Sequence, residues 1–478
     1  MQYSVVRISK VLSDSDCLRY DADFFKPEYL EIESKLKKPN FKTLKEFGIK
    51  IYHPNEIKRE YTENNEGVRF LRAQNVRPFL ADNESNPVYI SKQDAEKLKR
   101  NKIKKNDILI TRTGANFGQC CLYLLDDEPI ASSHSFIVRS GILHPAFLAV
   151  FLNSRYGRNL LNKGMYGGVQ PEIAPFYIYN IPIPSFSDKF QKKFNGLYND
   201  IENHINNSKS LYQQAENLLL EELGLKDFQP KHQLFYIKNY SDTQKAERFD
   251  AEYFQPQYEE IVKKIKNYQG GFSTLGKEGK FTSGSFVSDS FYSDSGIPYI
   301  RIKELSYKGS IDKEKLIFLN EKFKSKNETR VAEGDFVIAT IGNTIGKVCL
   351  IDKELTGAIP SNNTSKYKLN NKDDVFFYQI LLQSILVQKQ IERDFTQTAQ
   401  PKISDSALSN IAVPLISDEK KKLISTKIQE YVNSNSKSKS LLEIAKKAVE
   451  IAIEDNEDQA NKWIDQELEK LEVRLSSD

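Results

Sequence analysis

Two glycine-punctuated loops, TRTGANFGQ at 111–119 and ATIGNTIGKV at 339–348, are the first places where chemistry could reside. A phosphate-cradling loop needs the spacing GxxxxGK[ST]. Here Gly342 and Gly346-Lys347 stand one residue too close, and Val348 replaces the hydroxyl residue. The glycines therefore predict tight turns between strands. Their polar tips, Arg112, Thr113 and Asn116 against Thr340, Asn343 and Thr344, are either base or phosphate contacts or ordinary hairpin tips. His134, in ASSHSFIVR, is read opposite Asn362 of a second copy. A catalytic base would not be exchanged for asparagine in a duplicated active site, so a polar contact role fits both residues. The chain carries no HExxH, GxSxG, NPPY-like tetrapeptide or nuclease-like D…ExK setting. Four cysteines without a CxxC pair and five histidines leave no zinc site at workable spacing. Cys120 and Cys121 read as small strand residues, and this cysteine usage fits a reduced cytosol.

The scaffold that must position these loops is written twice. RYDADFFKPEYLEIESKLKK at 19–38 returns as RFDAEYFQPQYEEIVKKIKN at 248–267, with ten of twenty positions identical. NDILITRTGANFGQCCL at 106–122 answers GDFVIATIGNTIGKVCL at 334–350, and VRFLRAQNV at 68–76 answers IPYIRIKEL at 297–305. VQPEIAPFYIYNIPIP at 169–184 matches AQPKISDSALSNIAVP at 399–414, and SKSL recurs at 208–211 and 438–441. Order and spacing hold over so long a stretch that an internal duplication is the reading.

Each copy begins with short β-type runs and turns and ends in a long, nearly glycine-free segment. Phe190, Phe194, Leu197, Ile201, Leu211, Ala215 and Leu218 mark one helical stripe; Ile424, Ile428, Tyr431, Ser438, Leu442, Ala445 and Val449 mark the other. Gly224 is the expected residue after the first helix. The expected architecture is α+β. Two homologous α+β globular domains are separated by two long antiparallel helices, a coiled-coil spacer, in a pseudo-two-fold internal repeat. The boundaries are 1–185 for the first globular domain, 186–228 for the central helical spacer, 229–415 for the second globular domain and 416–478 for the C-terminal helical spacer with an acidic extension. With 39% hydrophobic residues the chain can build real cores, and the absence of an 18-residue apolar run argues against a membrane span. The N-terminus does not read as a signal peptide.

Net charge is +4, and residues 1–185 hold 27 Lys/Arg against 21 Asp/Glu. KQDAEKLKRNKIKK at 92–105 is either a solvated helix face or a phosphate-contacting surface, with Arg100 and Lys104 as candidates. Identical positions between the copies are Gly, Pro, Asp and apolar residues, whereas the presumed loops diverge into Arg, Gln, Asn, Ser, Thr and Lys. Those side chains read base edges. The further candidates are Arg72, Gln74, Asn75, Arg77, Ser133, Tyr166 and Gln170 in the first copy. Arg301, Lys303, Asn362, Asn363, Thr396, Gln397 and Gln400 are their counterparts in the second.

The doubled GD-[IF]-[LV]-I…G…G element, with Asn106 in place of the usual glycine, resembles the specificity subunits of type I restriction-modification systems. So do the Q-P-x-I…N-I-x-[IV]-P endings at Gln170–Pro184 and Gln400–Pro414 and the helix after each. The resemblance implies a cytoplasmic, non-catalytic subunit whose domains 1–185 and 229–415 are two target recognition domains, one per half-site of a bipartite double-stranded DNA target. It implies helices that set the gap between half-sites and dock two methyltransferase subunits. Those subunits carry the S-adenosylmethionine, so this chain holds no cofactor and no metal, and restriction (translocase/nuclease) subunits complete the assembly. The alternatives are a protein–protein adaptor of a phage-defence assembly and a self-contained DNA-modifying enzyme.

Overall fold

The repeated RYDADFF and RFDAEYF stretches fold into the same clip. The Arg19 guanidinium pairs with Asp21 at 2.5 Å and lies over the Phe24 ring; Arg248 pairs with Asp250 at 2.7 Å and lies over Tyr253. Asp21 accepts from the Phe24 amide at 3.0 Å and Asp250 from the Tyr253 amide at 3.1 Å. Helices Pro27–Leu36 and Pro256–Lys266 follow, each with its proline at the first position, where the missing N–H costs nothing. The stretch recurs because it builds the same local structure twice. The computed structural model describes all residues except 1–3, 14–18, 37–39, 64–65, 84–86, 115, 169, 307–308, 321, 324–326, 396–400 and 476–478.

The chain divides into two units, residues 1–205 with 435–478, and residues 206–434. In the first, Lys50–Tyr52, Ser135–Arg139, Ile108–Thr111 and Cys120–Leu122 are neighbours in that order, with Phe79–Leu80 at the edge. In the second, Gly279–Ser283, Thr364–Leu369, Phe336–Ala339 and Val348–Leu350 repeat the order. Registers coincide as well. Leu109 faces Cys121 and Val337 faces Cys349, while the parallel pairs Leu71–Ala131 and Ile300–Pro360 join the same strands of a second sheet. The central strands ILIT and FVIA are buried along their whole length, which is why they read as apolar runs rather than alternating ones.

The residue before each buried Asp is left-handed: Asn106 at φ 69° and Gly334 at φ 86°. Only Gly, Asn and Asp take this conformation readily, so asparagine could replace the glycine here. The aspartates hold the turn, Asp107 accepting from the Lys104 amide at 2.8 Å and Asp335 from the Ala332 amide at 2.9 Å.

The long helices span Asp188–Glu222 and Asp418–Glu454. In the first unit Phe190, Phe194, Leu197 and Ile201 share a core with Leu441, Ala445, Ala448 and Val449. In the second, Leu211, Ala215 and Leu219 share one with Ile424, Ile428 and Tyr431, and Tyr212 meets Tyr431 ring to ring at 5.4 Å. The start of one helix pairs with the end of the other in both units, so the packing is antiparallel. Two stripe positions shift by one: Leu219 and Leu441 are fully buried, whereas the expected Leu218 and Leu442 are only partly so. A four-residue stride from Leu211 through Ala215 keeps Leu219 on the inner face. Gly224, at φ 63°, ends the first helix, with the Leu225 amide bonded to the Leu220 carbonyl at 2.8 Å.

The acidic extension forms helix Glu457–Lys470. It packs on its own unit through Ala460, Ile464 and Leu468, with Lys193 paired to Asp465 at 2.7 Å.

Candidate nucleic-acid interface

The loops singled out by composition lie at the end of the central strand in each unit, on one backbone frame. The Arg112 amide donates to the His134 carbonyl at 2.8 Å, and the Thr340 amide to the Asn363 carbonyl at 3.0 Å. Thr113 bridges to Glu172, and Ile341 to Lys402. This register sets His134 against Asn363 and Ser133 against Asn362. The pairing of His134 with Asn362 is therefore corrected by one residue, because Ser135 and Thr364 open the equivalent strands.

On that frame the first unit builds a connected polar cluster. Arg112 reaches the His53 Nε2 at 2.7 Å and Glu172 Oε2 at 3.0 Å. The Tyr166 hydroxyl donates to the same Glu172 oxygen at 3.3 Å, and Thr113 Oγ1 lies 2.9 Å from His134 Nδ1. The Ser133 hydroxyl donates to Glu56, which also pairs with Arg59. Partial burial and the neighbouring Arg112 charge lower the His53 pKa, so the ring is neutral at pH 7 and its Nε2 accepts from the guanidinium. Burial works to raise the Glu56 pKa, but the Ser133 and Arg59 hydrogen bonds outweigh it and hold that carboxyl below its ordinary range.

The other candidates are dispersed. Arg72 opens the turn Ala73–Asn75, and Asn75 is 4% exposed, accepting from the Arg72 amide at 3.0 Å and donating to the Asp82 carbonyl at 2.9 Å. Asn75 thereby serves its own turn. Arg301 begins the matching turn with its guanidinium 2.5 Å from the fully buried Glu304. Gln74, Arg77, Lys303, Asn343, Asn362 and Gln170 are exposed, Asn116, Thr344 and Asn363 half-buried, and Thr340 buried. Arg100 and Lys104 are exposed on a basic stretch whose Lys97, Lys99, Lys102 and Lys105 already face acidic partners. Thr396, Gln397 and Gln400 lie outside the described residues, as does Cys17. Burial raises the Cys120 thiol and pushes Cys121 and Cys349 up to about 12, which leaves all three protonated and inert at neutral pH.

Sequence reasoning missed His53, Glu56, Glu172 and Lys402. A signal existed for the last two: they are the variable position of the shared Q-P-x-I ending, and their charges are opposite. Among the described residues no group of three His, Cys, Asp or Glu could hold a metal ion, and no helix is long and apolar enough to cross a membrane.

The family model for the type I restriction modification DNA specificity domain matches residues 268–446. This stretch is similar to that DNA specificity domain. The first copy of the internal repeat lies outside the match and shares the matched stretch's strand order and registers. No curated protein sequence matches the chain. Among solved structures, the type I restriction-modification S subunit from M. genitalium is 14% identical, covering 92% of this chain and 99% of that one at a TM-score of 0.39. The HsdS subunit from Thermoanaerobacter tengcongensis is 13% identical, with coverages of 88% and 96% and a TM-score of 0.29. Likenesses this distant carry no argument, and the similarity to the family rests on residues 268–446.

Proposed function

We propose that the chain is a non-catalytic specificity subunit that reads a bipartite double-stranded DNA sequence, one half-site with each unit. The observation that supports this most is the shared frame with unlike side chains. Arg112, Thr113, His134 and Glu172 in one unit correspond to Thr340, Ile341, Asn363 and Lys402 in the other. A duplicated active site would keep its reacting groups in both copies, whereas two readers of different sequences need the same backbone and different tips.

The subunit would lend this specificity to two methyltransferase subunits, which carry the S-adenosylmethionine, and to restriction subunits. Docking is supported by a repeated apolar segment. Leu234, Phe235 and Ile237 are almost fully exposed, while their neighbours Gln233 and Lys238 are bound to Gln255 and Glu259. Val5 and Ile8 stand at the matching places of the first copy and are also exposed. Solvent-facing apolar groups on a polar-anchored segment suit a protein partner.

The test replaces residues 229–415 by the matching domain of a relative and maps the modified adenines. The expected result is that one half of the recognised sequence changes and the other stays. A change in both halves, or methyl transfer by the isolated chain, would end this reading.

A further inference from the structure

Position 172 of the first unit and position 402 of the second are equivalent in backbone and opposite in charge. Each lies opposite the second residue beyond the central strand, Thr113 or Ile341. Glu172 is fixed there by a two-way backbone pair with Tyr166, at 2.9 and 2.8 Å. Around Lys402 the chain is tied to the same strand end, the Gly342 amide bonding to the Pro401 carbonyl at 2.9 Å and the Ile403 amide to the Thr340 carbonyl at 3.0 Å.

The Glu172 side chain is held in one orientation. Arg112 and Tyr166 both donate to its Oε2, and among the described residues Oε1 has no partner. The side chain is about one-third exposed, at 32%. A carboxylate turned toward DNA is repelled by phosphate, so an open acceptor at such a place suits an amino group on a base edge. Lys402, exposed at the equivalent place, has the complementary capacity and only donates.

We infer that Glu172 and Lys402 are paired base-discriminating positions. Glu172 accepts from the exocyclic amine of cytosine or adenine, and Lys402 donates to the O6/N7 edge of guanine. Arg112 acts on Glu172 as a positioning residue. This rests on the DNA-reading function proposed above and names the base chemistry of its two halves.

The experiment uses the full chain assembled with its methyltransferase and selects bound duplexes from a randomised pool. Glu172→Lys should move the preference at one position of one half-site toward guanine. It should cost roughly ten- to hundredfold in affinity for the original sequence. Lys402→Glu should act on the other half-site only, toward cytosine or adenine. Glu172→Gln, which keeps a hydrogen-bonding group beside Arg112, guards against misfolding and should relax the same position without affecting the second half. Equal loss on all sequences would assign the residue to phosphate or to scaffold and overturn the inference. So would an unchanged preference in all variants while the wild type selects a defined bipartite sequence. A wild-type complex that selects no sequence would instead overturn the DNA-reading proposal itself.

Discussion

Arg112 and Thr340 directly follow the same strand in the two units, yet their surroundings differ. Arg112 lies in a web of His53, Glu172 and Tyr166. Thr340 is buried, and in its unit Ser283 bonds instead to Asp405 at 2.7 Å. Beneath this divergence the strand registers, the left-handed residue before each buried Asp, and the Arg–Asp clip are shared. Duplication kept what determines backbone geometry and released what faces outward. Each unit is therefore a control for the other, because a substitution in the shared frame should act alike in both and one in the tips should not.

The largest effects belong to the shared frame. Phe194 and Ile424 are equivalent, almost wholly buried helix residues. Phe194→Ala should destabilise its unit by about 3–5 kcal/mol and Ile424→Ala its own by about 2–5 kcal/mol, measured by denaturant unfolding. A loss confined to one of the pair would break the equivalence. The buried aspartates sharpen it. Among the described residues Asp335 holds only its turn, whereas Asp107 also binds Arg139 at 3.0 Å. Asp107→Ala should cost about 2–3 kcal/mol and Asp335→Ala about 1–2 kcal/mol by the same measurement. Smaller still is the left-handed residue. An added Cβ on Gly334 meets only ordinary contact with Val375 at 3.6 Å, so Gly334→Ala should cost about 1–2 kcal/mol from backbone conformation alone. Asn106→Gly should be nearly neutral.

These shared features were legible in the sequence because they are local. A glycine or asparagine at a left-handed position, a proline at a helix start and a four-residue apolar stride act within a turn or two of themselves. The duplication then gave each signal a second witness. The cluster around Arg112 was not legible, since His53 and Glu172 lie about sixty residues away on either side and meet it only through sheet register. Leu219 and Leu441 face inward in place of Leu218 and Leu442 because an apolar rhythm read along the sequence drifts against a real helix. The closing helix reads only as an acidic extension, and its ion pair from Asp465 depends on Lys193, more than 250 positions earlier, brought beside it by the fold.

The smallest expected effect separates the units by pH. His53 has no histidine counterpart, since Ser283 takes the equivalent strand-end place. Burial first, and Arg112 second, lower its pKa below the ordinary value of about 6.5, with Glu172 opposing. A histidine with a lowered folded-state pKa favours the folded state fully above its unfolded value. That contribution is lost as pH falls through the lower folded-state value. Protonation would also convert the ring from an acceptor for Arg112 into a second cation beside it. His53→Gln keeps an acceptor and cannot titrate. The difference in thermal stability between wild type and His53→Gln should therefore move against the wild type as the buffer is taken from pH 7.5 to about 5, and the shift should be confined to the unfolding of the first unit. A pH-independent difference would mean that the His53 ring carries the same charge in the folded and unfolded chain.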